Sequence, residues 1–256
     1  IGQTDEICPA DRKIYALRGE TGTVASYPLI CGSIMSKKIS EGIKGLVMDI
    51  KVGNGAFMTN AKKANKLGDL LTLIGSNFGI DVKYIQSDMN QPLGNYAGLL
   101  CEVAESVDSL KGNGPEDLMN VVFELGKIAL TMAGQNKVIQ KMQNVIDDGS
   151  ALEVFYKMIH EHGGDYKKIN LKNKYNLEIR SKAEGFLKYK NIKKIGNAVN
   201  YLNLLSDNKD INSGVKFFVK NGESIKNGDI IFRIFGNSSD NIKTAEKLIK
   251  ESFIIE

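Results

Sequence analysis

Leu46-Val47-Met48-Asp49-Ile50-Lys51-Val52 is a short, β-branched and apolar run that reads as a strand. The glycine-bearing loop Gly53-Asn54-Gly55-Ala56-Phe57 follows it, and residues 60–77 then carry apolar side chains at helical period. Asp81-Val82-Lys83-Tyr84-Ile85-Gln86-Ser87-Asp88 reads as a second strand. Strand, helix, strand at this spacing predicts a βαβ unit and a partly parallel sheet, which sets the fold class as α/β.

Upstream, Pro9 near the start and Gly19 after the end bracket a short helix. Ser26-Tyr27-Pro28 introduces a second helix, expected from Leu29 to about Glu41. Downstream, helices are expected near 98–110, 116–134, 137–147 and 151–161, with a break at Gly163-Gly164-Asp165. From Tyr166 the texture changes. Short β-like runs (Leu177–Arg180, Val215–Val219, Asp229–Ile234) alternate with Gly/Asn turns, and an amphipathic helix spans Ile242–Ser252. The lysine clusters at 167–174 and 188–194 read as solvated loops. This gives part of a small helical domain over 1–43, a mixed-sheet α/β domain over 44–165, and a β-rich C-terminal subdomain with a final helix over 166–256.

The 256 residues are 42% hydrophobic and 25% charged, with mean hydropathy −0.19, as expected of a chain able to bury a sizeable core. No apolar run approaches the ~18 residues of a membrane span. A net charge of +4 is too small to point to nucleic acid. Cys8, Cys31 and Cys101 show no repeated spacing and fit free thiols in a reducing cytosol. Two histidines, at His160-x-His162, point apart on a helix and lack a third ligand, so they read as surface residues. The chain opens at Ile1 in mid-pattern and is expected to be a fragment.

Ser33 and Lys37 lie four apart on the second helix, within about 40° around its axis, so a hydroxyl and an ammonium converge on one edge. Arg18 ends the preceding helix within reach of the same place. On the residues alone, a plain solvated helix face is the favoured reading of them. Gly53-Asn54-Gly55 is a weak dinucleotide signal, because Met58 stands where a third glycine belongs. A tight loop bringing Phe57 over a ligand is the alternative.

Several blocks carry a resemblance. They are Tyr15–Arg18, Ser33–Lys38, Met48–Met58, Ser87–Gly94 and Lys111–Leu118, in order and with spacing kept through about residue 160. They are similar to the thymidine and pyrimidine-nucleoside phosphorylases, and Val219–Asp229 more loosely resembles the family's C-terminal hairpin. That family cleaves a pyrimidine nucleoside with phosphate to give free base and pentose 1-phosphate. The resemblance implies substrate binding by Arg18, Ser33, Lys37, Tyr15 and Phe57, phosphate as co-substrate, a homodimer and a cytoplasmic location. It also implies a structural potassium ion held on this half by the Leu93 and Tyr96 carbonyls and the Glu105 carboxylate. The family's catalytic histidine and phosphate-binding segments precede the matched blocks. Gly19, Ala25, Leu99, Cys101 and Asn203–Asp207 depart from the family pattern. Activity on uridine or thymidine is the leading expectation. The alternative is a non-catalytic remnant acting as a scaffold or dimerisation module. The fold-sharing anthranilate phosphoribosyltransferases are a weaker relation, lacking the Arg/Ser/Lys set.

Overall fold

The computed structural model describes residues 6, 8–166, 172–203 and 209–256. It opens with α1 (Pro9–Glu20) and α2 (Tyr27–Ser40), each with proline in its first turn, where the missing N–H costs nothing. α2 starts two residues earlier than expected. Ser26 makes no side-chain capping bond, so the fixed backbone of Pro28 sets the start instead.

The βαβ unit forms as the sequence suggests. β1 (Gly45–Val52) and β2 (Asp81–Asp88) pair in parallel from Gly45↔Asp81 to Val52↔Asp88, joined by α3 (Ala61–Asn77). The Asn60 side chain caps α3 by accepting from Lys63 N at 3.0 Å. Leu67 and Leu71 turn inward from α3 against Ile50 and Val82, and Cys31 and Met35 of α2 close the same core. Complete burial of Leu71 contributes about 1.5–3 kcal/mol. Gly75 is what lets α3 lie this close to β2. A Cβ there would stand 2.3 Å from Val82 Cγ2 and 2.9 Å from the Ile80 carbonyl oxygen.

β3 (Tyr96–Gly98) leads into α4 (Leu99–Asp108), which runs on into a wider turn at Ser109–Asn113. Next come α5 (Glu116–Met132), α6 (Val138–Asp147) and α7 (Ser150–Glu161). β4 (Tyr175–Arg180), β5 (Gly185–Tyr189), α8 (Ile192–Asn203), β6 (Gly214–Phe217), β7 (Ser224–Ile225), β8 (Ile230–Gly236), α9 (Ser239–Lys250) and β9 (Phe253–Ile255) complete the chain. Among the described residues the C-terminal strands form an antiparallel sheet ordered β3-β6-β8-β4 and a smaller one ordered β7-β5-β9. Phe217 meets Phe232 edge-on, with ring centroids 5.8 Å apart. That pair packs with Ile195 and Leu202 of α8 and Ile249 of α9 in a second core.

Other features also depart from the expected elements: α1 runs through Gly19 to Glu20, and α9 begins three residues before Ile242 and ends two before Ser252. The lysine cluster at 188–194 is not loop: it ends β5 and begins α8. Tyr189 and Ile192 are buried between those lysines, and Leu187 and Ile195 beside them, while the long lysine side chains keep their ammonium groups in water. The part of the other cluster at 167–171, like Leu204–Asp207, lies outside the described residues. β3 also draws Tyr96–Gly98 into the sheet of the C-terminal strands, a pairing that three residues give no periodicity to reveal.

Candidate functional site

A cavity of about 480 Å³ opens between α1, α2, the end of β1 and the loop that follows, with Tyr15, Arg18, Ser33, Lys51, Phe57 and Met89 on its wall. Arg18 is only 4% exposed. Its Nη1 donates to the Leu29 carbonyl at 3.3 Å and its Nη2 to the Val24 carbonyl. These bonds close the α1–α2 connection over the guanidinium, which also stacks 4.9 Å from the Tyr15 ring centroid. Arg18 Nε is buried without a hydrogen-bond partner among the described residues. An orphaned buried donor of this kind costs about 1–3 kcal/mol, so this one stands ready for an acceptor.

Ser33 and Lys37 are brought together as their spacing suggests. Lys37 Nζ donates to Ser33 Oγ at 3.1 Å and to Asp11 Oδ2 of α1 at 2.5 Å. Lys37 is not itself on the cavity wall; it reaches the cavity through Ser33, one turn closer. Asp11 was not singled out from sequence, because its contact crosses between two helices. Phe57 stands 55% exposed at the rim.

The loop carrying Phe57 is fixed by backbone contacts. Gly55 N donates to the Met89 carbonyl and Met89 N to the Val52 carbonyl. Gly53 adopts φ 145°, and a Cβ there would lie 2.6 Å from the Met89 backbone carbon, so glycine is dictated by close approach. That accounts for the glycines without a nucleotide. Asn54 ties the loop to the C-terminal unit: its Oδ1 accepts from Ile192 N at 2.9 Å and its Nδ2 donates to the Tyr189 carbonyl at 3.4 Å.

A polar cluster not singled out from sequence sits at the carboxyl ends of the parallel strands. Lys51 Nζ pairs with Asp49 Oδ2 at 2.6 Å and donates to Ser87 Oγ at 2.9 Å, while Ser87 Oγ donates to Asp49 Oδ1 at 2.5 Å. The rule that ligands bind beyond the carboxyl ends of parallel strands was the signal available for it.

The expected cation ligands are Leu93 in the connection after β2, Tyr96 of β3 and Glu105 of α4. Glu105 is 8% exposed and its Oε1 accepts from Asn95 N at 2.7 Å. Burial pushes its carboxyl up from the ordinary range, against the lowering pull of the Asn95 and Tyr96 N–H groups and the Lys220 charge. The Leu93 carbonyl accepts no hydrogen bond from the described residues. Phe217 N donates to the Asn95 carbonyl at 2.8 Å, which turns the peptide groups of Tyr96 away from β6. Carbonyl and carboxylate oxygens are the hard donors that a cation such as potassium takes. His160 and His162 are exposed, and no cluster of three or more His, Cys, Asp or Glu among the described residues is arranged to hold a metal. No helix of the described residues is long and apolar enough to cross a membrane.

Comparison with known proteins finds similarity to one family. Residues 186–256 match the pyrimidine nucleoside phosphorylase C-terminal domain. The pyrimidine-nucleoside phosphorylase of Staphylococcus haemolyticus is 36% identical over 269 aligned positions, covering 100% of this chain and 62% of the relative. That of Staphylococcus aureus strain RF122 is 37% identical over 261 positions, covering 97% of this chain and 60% of the relative. This chain matches a C-terminal portion of the pyrimidine-nucleoside phosphorylase family. It spans about three-fifths of the length of these relatives.

Proposed function

We propose that this chain provides the pyrimidine-binding side of a nucleoside phosphorylase that converts uridine- or thymidine-type nucleosides and phosphate to free base and pentose 1-phosphate. The observation carrying this reading is the convergence of Tyr15, Arg18 and Ser33 on one cavity, with Lys37 bonded to Ser33. An ammonium has three hydrogens; Asp11 and Ser33 take two of those on Lys37, leaving the third for a base carbonyl that reaches past Ser33 from the cavity. Ser33 Oγ retains a lone pair for the ring N–H, and Arg18 Nε–H offers a further donor. Glycosidic cleavage leaves negative charge on the departing base, and fixed cations beside it stabilise that charge most in the transition state. Phosphate attacks from residues that precede the matched region in the family, so closure of two parts brings the reactants together.

The same reading carries a homodimer and a cytoplasmic location. It places potassium, when bound, on the Leu93 and Tyr96 carbonyls and Glu105, where its positive charge orders the chain rather than taking part in bond cleavage. A second reading, a non-catalytic scaffold, draws on the engagement of both Arg18 Nη atoms with main-chain carbonyls. The test joins the N-terminal portion of the Staphylococcus aureus relative to this chain and follows base release. Uracil from uridine with no cytosine from cytidine supports the enzyme. No release from any pyrimidine nucleoside by a folded chimera supports the scaffold.

A further inference from the structure

The cavity carries a second polar wall that base recognition leaves unused. Asp49 and Lys51 lie two apart on β1, so their side chains share one face of the strand. Ser87 of β2 stands opposite Lys51 in the parallel register. Lys51 Nζ pairs with Asp49 Oδ2 at 2.6 Å and donates to Ser87 Oγ at 2.9 Å, and Ser87 Oγ donates to Asp49 Oδ1 at 2.5 Å. Ser87 is buried, so this ring of bonds is anchored from the neighbouring strand. Asp49 and Lys51 stay partly exposed and line the same cavity as Arg18 and Ser33. The rest of the lining is largely apolar, with Ile34, Met48 and Leu67 among it. A few polar groups set in an apolar cavity fix the orientation of a ligand, and two polar ends suit a ligand with two polar parts.

Hydrogen-bond counting says what the second end takes. Asp49 and Ser87 occupy two of the three Lys51 hydrogens, leaving one among the described residues. Each Asp49 oxygen accepts one bond from the ring and keeps a further lone pair. The pair therefore offers a donor and an acceptor side by side, with no net charge. A hydroxyl both donates and accepts, and matches that pattern. A phosphate dianion does not: it would meet the Asp49 carboxylate, 2.6 Å from the ammonium it needs, as a like charge.

We propose that Asp49 and Lys51 bind a pentose hydroxyl of the nucleoside, with Ser87 as the positioning residue that fixes the pair. The proposal rests on the reading of Arg18 and Ser33 as the base-binding end. It adds that this chain grips the sugar as well as the base, and that phosphate is not the ligand of Lys51.

The test is calorimetric titration of the 256-residue chain with uracil, uridine and inorganic phosphate in turn. The parent is expected to bind uridine about tenfold more tightly than uracil, the gain of a hydrogen bond to a charged group. Lys51→Met keeps the aliphatic stem but removes the ammonium. It should bring uridine down to the affinity of uracil and leave phosphate affinity as in the parent. Asp49→Asn leaves the ammonium uncompensated, so it should lose the uridine advantage and bind phosphate more tightly than the parent does. A pair that merely braced the strands would weaken uracil and uridine together and gain no phosphate affinity, which overturns the proposal. If Lys51→Met does not fold, a retained uridine advantage in Asp49→Asn overturns it. A parent that binds uracil and uridine equally also overturns it, and leaves the base-binding reading standing. A parent that binds neither removes both ends of the cavity.

Discussion

Asn54→Ala is expected to destabilise this protein by about 2 kcal/mol, although Asn54 belongs to neither core. Its Oδ1 accepts the N–H of Ile192, the first residue of α8, and Ile192 is 5% exposed. Truncation strands that donor where water reaches it poorly, at a cost of about 1–3 kcal/mol. The companion bond from Nδ2 to the Tyr189 carbonyl is 3.4 Å long, and a carbonyl tolerates loss of one partner better than a donor does. Two kcal/mol corresponds to a fall of roughly 4–8 °C in melting temperature for a chain of this size. Asn54→Asp discriminates the cause. It keeps the acceptor and adds a negative charge at the start of α8, which contributes about 0.3–1 kcal/mol, so it should melt within about 2 °C of the parent. Urea unfolding of the three proteins, followed by far-ultraviolet circular dichroism, reads the differences directly. An Asn54→Ala protein as stable as the parent, or an Asn54→Asp protein as weak as Asn54→Ala, would refute the long-range cap.

Gly75→Ala should cost about 1–2 kcal/mol, because overpacking against Val82 and the Ile80 carbonyl outweighs the helix-propensity gain. Gly196→Ala, with open space around its Cβ position, should gain about 0.5–1 kcal/mol; paired urea titrations check both. Thiol labelling of the native chain should modify Cys8 first. Cys31 and Cys101 are buried, burial raises both thiols, and Cys101 is pushed up to about 12 with Glu102 and Glu105 adding to the effect. Rapid labelling of Cys101 in the folded protein contradicts that. Burial alone would raise the Asp210 carboxyl, but donors from Ser213, Asn237 and Asn212 outweigh it and hold it below its ordinary value. Its stabilisation is therefore present above about pH 4 and lost as pH falls through the lowered folded value. Asp210→Asn should flatten that acid limb in unfolding measured from pH 7 to pH 2.

Legibility in the sequence followed the range of the contacts. The β1–α3–β2 unit could be read because its apolar alternation and helical period are local. The bond between Ser33 and Lys37 could be read for the same reason: four residues on a helix fix their directions. Asp11 beside Lys37, Asn54 at the start of α8 and Lys220 over Gly94 could not, since those contacts join residues 26, 138 and 126 positions apart. The cluster at 188–194 was misread because its lysines mask the buried apolar residues between them. The Asp49–Lys51–Ser87 cluster was within reach, given alternation along one strand and its parallel neighbour.

The central claim is that Lys37 stabilises charge on a departing pyrimidine. Its most direct test is kcat/KM for uridine phosphorolysis in the chimera carrying the relative's N-terminal portion, with and without Lys37→Met. The account predicts a fall of about 10² or more, close to 3 kcal/mol of transition-state stabilisation, with cytidine unreactive in the parent because its amino group meets the ammonium donor to donor. A Lys37→Met protein as active as its parent, or cytidine turned over as fast as uridine, would contradict it.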